Sequence, residues 1–292
     1  MSVQKQLRDA RVVIVGLGLM GGSLAGALRG RCREVVGVAR RAETIEMALA
    51  RGLIDRGTTE LRQGVQQANV VVLATPVGTI LRQLAEIGPL LSAGCLLMDL
   101  GSAKAPIVAE MARLPRHVEP LGGHPMCGKE VSGIEAAEPA LYRGATFVLT
   151  PLPRSSDAAL ALGRQLVEAV GARPLVMDAD RHDRLVAIIS HLPYLMAGAL
   201  VDTAEKTAAF DPLVWRVAAS GFRGCSRLAG SDVTMMLDIL LANREAVLSA
   251  VCDFQEALAD LARLVETGDE TELKAKLSAI RKTYVEMTKW AS

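Results

Sequence analysis

Four histidines occur in the 292-residue chain, and two of them stand where an imidazole could do chemistry. His124 lies in Gly122-Gly123-His124-Pro125-Met126, a glycine- and proline-framed loop expected to follow a strand end. Open α/β sheets bind ligands at such ends. An imidazole with an ordinary pKa of about 6.5 can take up a proton at neutral pH. His191 lies in Ser190-His191-Leu192-Pro193, inside a helical stretch, Leu185–Val201, that has no Asp, Glu, Lys or Arg. A histidine buried on such a helix is more often a core residue than a catalyst. His117, after Leu-Pro-Arg, and His182, in Asp180-Arg181-His182-Asp183-Arg184 at a helix start, are both expected to be solvated. No pair has H-E-x-x-H spacing, so the histidines do not spell a zinc site. The five cysteines, Cys32, Cys95, Cys127, Cys225 and Cys252, form no C-x-x-C pair and read as small buried groups in a reducing cytosol.

A second chemical signal opens the chain. Gly16-Leu17-Gly18-Leu19-Met20-Gly21 fits G-x-G-x-x-G, with a predicted strand before it and a predicted helix after it. In this pattern Gly16 allows a tight turn, Gly18 lets backbone approach a pyrophosphate, and Gly21 lets helix and strand pack closely. Leu19 and Met20 then begin a helix whose unpaired N–H groups face the phosphates. The next strand ends Val36-Gly37-Val38-Ala39-Arg40-Arg41. Ala39 stands where an acid would accept the ribose 2′-hydroxyl of NAD, and Arg40 and Arg41 could clamp a 2′-phosphate. The run favours NADP, with NAD the alternative.

Several elements must position these residues. Apolar runs without polar alternation predict strands at Arg11–Val15, Glu34–Val38, Val70–Ala74 and Cys95–Leu100, buried on both faces. Helical patterns at Leu19–Leu28, Thr44–Ala50, Val77–Leu90 and Lys104–Met111 alternate with them, which implies βαβ units and a parallel sheet. Phe147–Thr150 and Leu175–Met177 add strands around a helix at Ala158–Val170. Beyond Asp178 only long helical patterns follow: Asp183–Lys206, Pro212–Ala219, Val233–Glu266 and Thr271–Thr288. The expected organisation is an α/β nucleotide-binding domain over residues 1–178 and an all-α domain over residues 179–292.

Net charge is +1 and aromatic residues make up 3% of the chain, so neither a nucleic-acid partner nor an anionic membrane surface is indicated. The N-terminus lacks the apolar segment of a signal peptide, which points to a cytoplasmic protein. Leu185–Val201 falls short of a membrane span and reads as a buried or interface helix. With the apolar stripe of Val233–Leu264, it predicts a homodimer formed by the helical half.

Taken in order, these segments resemble the prephenate/arogenate dehydrogenases. The resemblance rests on Val15–Gly21, Ala74-Thr75-Pro76, Asp99-Leu100-Gly101-Ser102-Ala103-Lys104 and Gly122–Met126. It continues through Leu149-Thr150-Pro151, Ser190–Pro193 and Ser220-Gly221-Phe222-Arg223-Gly224-Cys225-Ser226-Arg227-Leu228-Ala229. It runs from about residue 10 to at least residue 250. The glycine motif is shared by many oxidoreductases, whereas the Gly-Gly-His-Pro, Ser-His-Leu-Pro and Ser-Arg-Leu-Ala segments together are far more specific.

The resemblance implies a Rossmann-type domain, a helical dimerisation domain and an active site between them. It also implies a monofunctional form, with no fused regulatory or mutase domain. The implied substrate is a small cyclohexadienol acid that loses hydride from C4, its hydroxyl proton and its ring carboxylate. By the same resemblance His124 acts at the 4-hydroxyl, and Ser102 orients substrate and nicotinamide. Arg227 grips a substrate carboxylate, His191 is a second pocket histidine, and Glu130 with Arg223 forms a gating pair. Thr75 and Pro76 join Gly16, Gly18, Leu19, Met20, Gly21, Arg40 and Arg41 at the cofactor. Two rival readings are a β-hydroxyacid dehydrogenase or imine reductase with a similar N-terminal pattern, and a non-enzymatic NAD(P) sensor.

Overall fold

Short runs of valine, isoleucine and leucine set the frame. The computed structural model describes residues 6–129 and 131–288. Its strands are Arg11–Val15 (β1), Glu34–Val38 (β2), Arg56–Thr58 (β3), Val70–Leu73 (β4), Leu96–Asp99 (β5), Glu119–Pro125 (β6), Thr146–Pro151 (β7) and Arg173–Val176 (β8). They form one sheet in the order β3-β2-β1-β4-β5-β6-β7-β8. Alternate residues of β1 serve opposite faces, as strand geometry requires. Val12 and Ile14 join Leu24 and Leu28 on one side, while Val13 and Val15 join Ile80 and Leu84 on the other.

The helices of this part are α1 (Leu19–Leu28), α2 (Ala42–Ala50), the single turn α3 (Leu61–Gly64), α4 (Val77–Ile87), α5 (Ala105–Met111) and α6 (Asp157–Ala169). Strands β3 to β6 are parallel to their neighbours, as predicted, but β7 runs antiparallel to β6. Among the described residues of the connection between them, the 3₁₀ turn Pro139–Tyr142 is the only helical piece and there is no crossover helix, which a parallel return commonly uses.

The second departure from expectation concerns β6 itself. Gly122, Gly123, His124 and Pro125 are strand residues, not a loop beyond the strand. Glycine and proline disguise the strand because both are poor strand formers. Gly123 is nevertheless needed, since a Cβ there would lie 2.6 Å from the carbonyl oxygen of Asp99 on β5.

After β8 the chain is helical. It forms α7 (Ala179–Val186), a π turn over Ala187–His191, α8 (Leu192–Ala208), α9 (Leu213–Val217), α10 (Ser220–Ser226), α11 (Val233–Ala242), α12 (Arg244–Thr267) and α13 (Glu270–Thr288). The Asp178 side chain caps α7 by accepting from the Arg181 N–H. α7, the π turn and α8 make one continuous helix, longer than predicted. Pro193 lacks an N–H and crowds the carbonyl four residues back; the wider π turn before it relieves both demands. By length and composition Ala179–Ala208 could cross a membrane, whereas the shorter stretch Leu185–Val201 was expected to fall short of one. The predicted helix Val233–Glu266 is two helices, broken at Asn243.

The chain divides into two units, one ending at Arg244 and the other starting at Glu245. The first exposes Phe210, Val217, Val233 and Leu241. The second, made of α12 and α13, exposes Leu248, Leu258, Val265, Leu277 and Tyr284. Cys95 is buried and Cys32 and Cys127 are half-buried, but Cys225 and Cys252 are exposed, against expectation.

Candidate active site

The glycine loop has the geometry its spacing predicts. Gly16 has φ +97°, a conformation costly for any side chain, and its Cβ would meet the Ala74 carbonyl oxygen at 2.8 Å. A Cβ on Gly21 would overlap the Gly16 carbonyl oxygen, whereas no described residue lies within 4 Å of the Cβ position at Gly18. The turn is therefore closed at both ends and open in the middle, beside the N-terminus of α1. That is the cradle a pyrophosphate needs. Thr75 donates its hydroxyl hydrogen to Gln83 Oε1 at 2.7 Å. Just beyond Pro76, the Gly78 N–H donates to Asp238 Oδ2 on α11 at 2.9 Å, which ties the start of α4 to the helical part. Ala39 is half-buried at the end of β2, and Arg40 and Arg41 are exposed.

A buried polar cluster lies at the carboxyl ends of β5 and β6. Asp99 ends β5, and both of its oxygens are used. Oδ2 accepts from the Gly101 N–H at 2.7 Å and pairs with the Lys104 ammonium; Oδ1 accepts from the Gly123 N–H at 3.0 Å. The Lys104 ammonium also donates to the Gly123 carbonyl oxygen at 2.7 Å. Burial lowers the Lys104 pKa, and the charge of Asp99 opposes that shift. Asp183, from α7, accepts from the N–H groups of Lys104 and Ala105 at 2.7 and 2.8 Å, capping α5. Ser102, half-buried, is thus held between two anchored turns.

The histidines complete the cluster. His182 Nδ1 lies 2.7 Å from Asp183 Oδ1, and His182 Nε2 lies 2.8 Å from His124 Nδ1. The two rings meet edge to face at an interplanar angle of 73°. His191 Nδ1 lies 3.3 Å from Asn243 Nδ2, which also donates to the Asp183 carbonyl oxygen at 2.8 Å. His191 Nε2 is buried with no hydrogen-bond partner among the described residues. Burial holds the His124 pKa well below the ordinary value, helped by the charges of Lys104, His182 and His191. Burial likewise pushes His191 down to about 4, with Asp183 opposing.

The structure therefore brings His124 and His191 into one cluster and places Ser102 on the adjoining turn. Arg223 lies on α10 and Arg227 on the 3₁₀ turn after it; these two elements pack against α8, and both arginines are exposed. Glu130 lies outside the described residues. His182 corrects the sequence reading, being 1% exposed rather than solvated. Asp99, Lys104, Asp183 and Asn243 were also missed as site residues. Three of them were in view, since Asp99 and Lys104 bracket the Gly101-Ser102 run and Asp183 follows His182.

Comparison with known proteins gives a consistent picture. A family model described as the nucleotide-binding domain of prephenate dehydrogenase matches residues 24–176, and one described as its dimerization domain matches residues 178–279. Prephenate dehydrogenase of Bacillus subtilis is 32% identical over 274 residues, covering 92% of this chain and 73% of that protein. The crystal structure of prephenate dehydrogenase from Aquifex aeolicus, in complex with hydroxyphenyl propionate and NAD+, superposes with a TM-score of 0.89 at 32% identity, covering 98% of this chain and 100% of that one. That of Synechocystis arogenate dehydrogenase gives a TM-score of 0.84 at 33% identity, covering 95% and 99%.

Proposed function

The chain belongs to the prephenate dehydrogenase family, and from that membership we infer that it oxidatively decarboxylates prephenate or arogenate with a pyridine nucleotide as hydride acceptor. The observation that carries the chemistry is the buried histidine cluster at the carboxyl ends of β5 and β6, beside a glycine loop shaped for a dinucleotide. The nicotinamide supplies the hydride-accepting carbon when bound. His124 accepts the hydroxyl proton as hydride leaves C4. The ring carboxylate departs as CO2, its bonding pair completes the aromatic ring, and the proton returns to the phenolic oxygen. Ser102 orients the hydroxyl-bearing carbon, His191 donates to the substrate, and Arg227 grips a carboxylate. Arg223 with Glu130 gates the entrance.

NADP is the preferred cofactor in this reading. Its support is chemical: Ala39 brings no repelling carboxylate, and Arg40 and Arg41 are exposed at the end of β2, free to meet a 2′-phosphate. The protein works as a homodimer, which the match to a dimerization domain and the exposed apolar residues of the helical part support. A division of labour at 178/179 is part of the same reading. So is a cytoplasmic location, supported by His182, Asp183 and His191, polar groups of the long apolar helix that are buried in protein. Steady-state turnover of prephenate and of arogenate, each with NADP and NAD, tests the assignment. Turnover of 3-hydroxyacids with none of either cyclohexadienol would overturn it.

A further inference from the structure

With both rings neutral, the hydrogen-bond pattern around His182 fixes where the protons sit. An ionised carboxylate only accepts. Asp183 accepts two backbone N–H groups at the start of α5, so the atom of His182 facing its Oδ1 must be an N–H donor as well. That atom is Nδ1. A neutral imidazole has one N–H, so His182 Nε2 carries a lone pair. His124 Nδ1 faces that lone pair at 2.8 Å and must be the donor there. By the same count, neutral His124 has its own lone pair on Nε2, the ring atom that is free of the cluster.

We propose that His182 is a positioning residue for the reaction: oriented by Asp183, it holds His124 in the Nδ1–H tautomer and leaves Nε2 as the base for the substrate hydroxyl. The inference rests on His124 being that base. His182 touches neither substrate nor reacting atoms. Its effect is to select one of two tautomers, and in water the other, Nε2–H, is the more populated for a free histidine. An aspartate that fixes an imidazole tautomer in a catalytic triad shows how much rate such selection can carry. Here the carboxylate acts through a second imidazole. The arrangement also ties tautomer choice to the Ser102 turn, because the same carboxylate caps α5.

The test reads tautomer and rate in the full-length protein. Long-range ¹H–¹⁵N correlation spectra of histidine-labelled wild type at neutral pH should show His124 as Nδ1–H. His182→Leu, which can neither donate nor accept, should move His124 toward Nε2–H and lower kcat roughly 10- to 100-fold with KM nearly unchanged. His182→Gln can donate to Asp183 and accept from His124, so it should restore the Nδ1–H form and most of the lost kcat. A purely structural role for His182 would leave the tautomer alone and would not distinguish Gln from Leu in kcat at equal stability. Wild-type His124 found as Nε2–H overturns the proposal even if His182→Leu fails to fold. The tautomer is read without substrate, so it stands or falls apart from the base assignment, which His124→Asn kinetics decide.

Discussion

The ammonium of Lys104 and the carboxylate of Asp99 are in contact with neither side chain exposed to solvent. The pair joins the end of β5 to the turn before α5, and its donors and acceptors reach β6 through Gly123. Breaking a buried pair from one side leaves an uncompensated charge. Lys104→Met should therefore destabilise the fold by about 3–5 kcal/mol, measured by urea unfolding at neutral pH. A loss below about 1 kcal/mol would mean that the two N–H donors on Asp99 suffice without the ammonium.

His124→Asn should lower kcat by roughly 10²- to 10⁴-fold with modest change in KM, because the base role proposed for it belongs to charge that develops as hydride leaves. The pH profile carries a sign. Burial and neighbouring charges depress the His124 pKa well below its ordinary value. The neutral, active form therefore persists into the mildly acidic range, and the acid limb of kcat lies below the position an unperturbed histidine would give. His124→Asn should flatten that limb. A limb centred on the ordinary histidine value, or near-wild-type kcat in the variant, contradicts the assignment.

In its proposed role Arg227 meets a carboxylate that is already charged before the reaction. Arg227→Ala should mainly raise KM, by roughly 10- to 100-fold, with a smaller effect on kcat. Unchanged affinity for substrate would remove Arg227 from the pocket.

Arg40→Ala should raise KM for NADP by roughly 10-fold and change that for NAD little, since only the 2′-phosphate can use the guanidinium. The preference itself is read in the wild type. Higher kcat/KM with NAD than with NADP rules it out.

His191 links stability to pH. Its folded pKa is about 4, against an ordinary value of 6.5, so it stays neutral in the fold while the unfolded chain takes up a proton. Stability is then full above about pH 6.5, falls as pH drops toward 4, and is level below that, a loss of roughly 3 kcal/mol in all. Urea unfolding at pH 7.5 and 4.5 should show His191→Gln losing roughly 2 kcal/mol less than wild type across that range. Equal losses would place His191 in a solvated setting.

Much of this was legible locally. Strands β1 and β2 and helix α1 fall where their apolar runs and glycine punctuation put them. His124, Ser102 and the glycine loop announced themselves by neighbours of unusual type. His182 did not, because its partner His124 is 58 positions away, its other partner Asp183 is turned to the distant N-terminus of α5, and its own surroundings in sequence are charged. A pairing across that separation leaves no period or motif. Asn243 was hidden for the opposite reason. It interrupts an otherwise continuous apolar pattern by spending its side chain on Asp183 and His191 rather than on its own helix. Strand β6 was masked by its glycines, of which Gly123 is required by the close approach to Asp99.

The π turn at Ala187–His191 makes the length of this segment as consequential as its composition. A π turn takes in one residue more than a regular turn. Deleting any one residue there would let the helix close up into a regular one, with hydropathy and charge almost unaltered. Everything beyond would then rotate by about 100° against His182 and Asp183, carrying His191 away from Asn243. Substitution within Ala187–Ser190 should thus be borne far more easily than insertion or deletion, and among related chains this stretch should vary in letters but not in count.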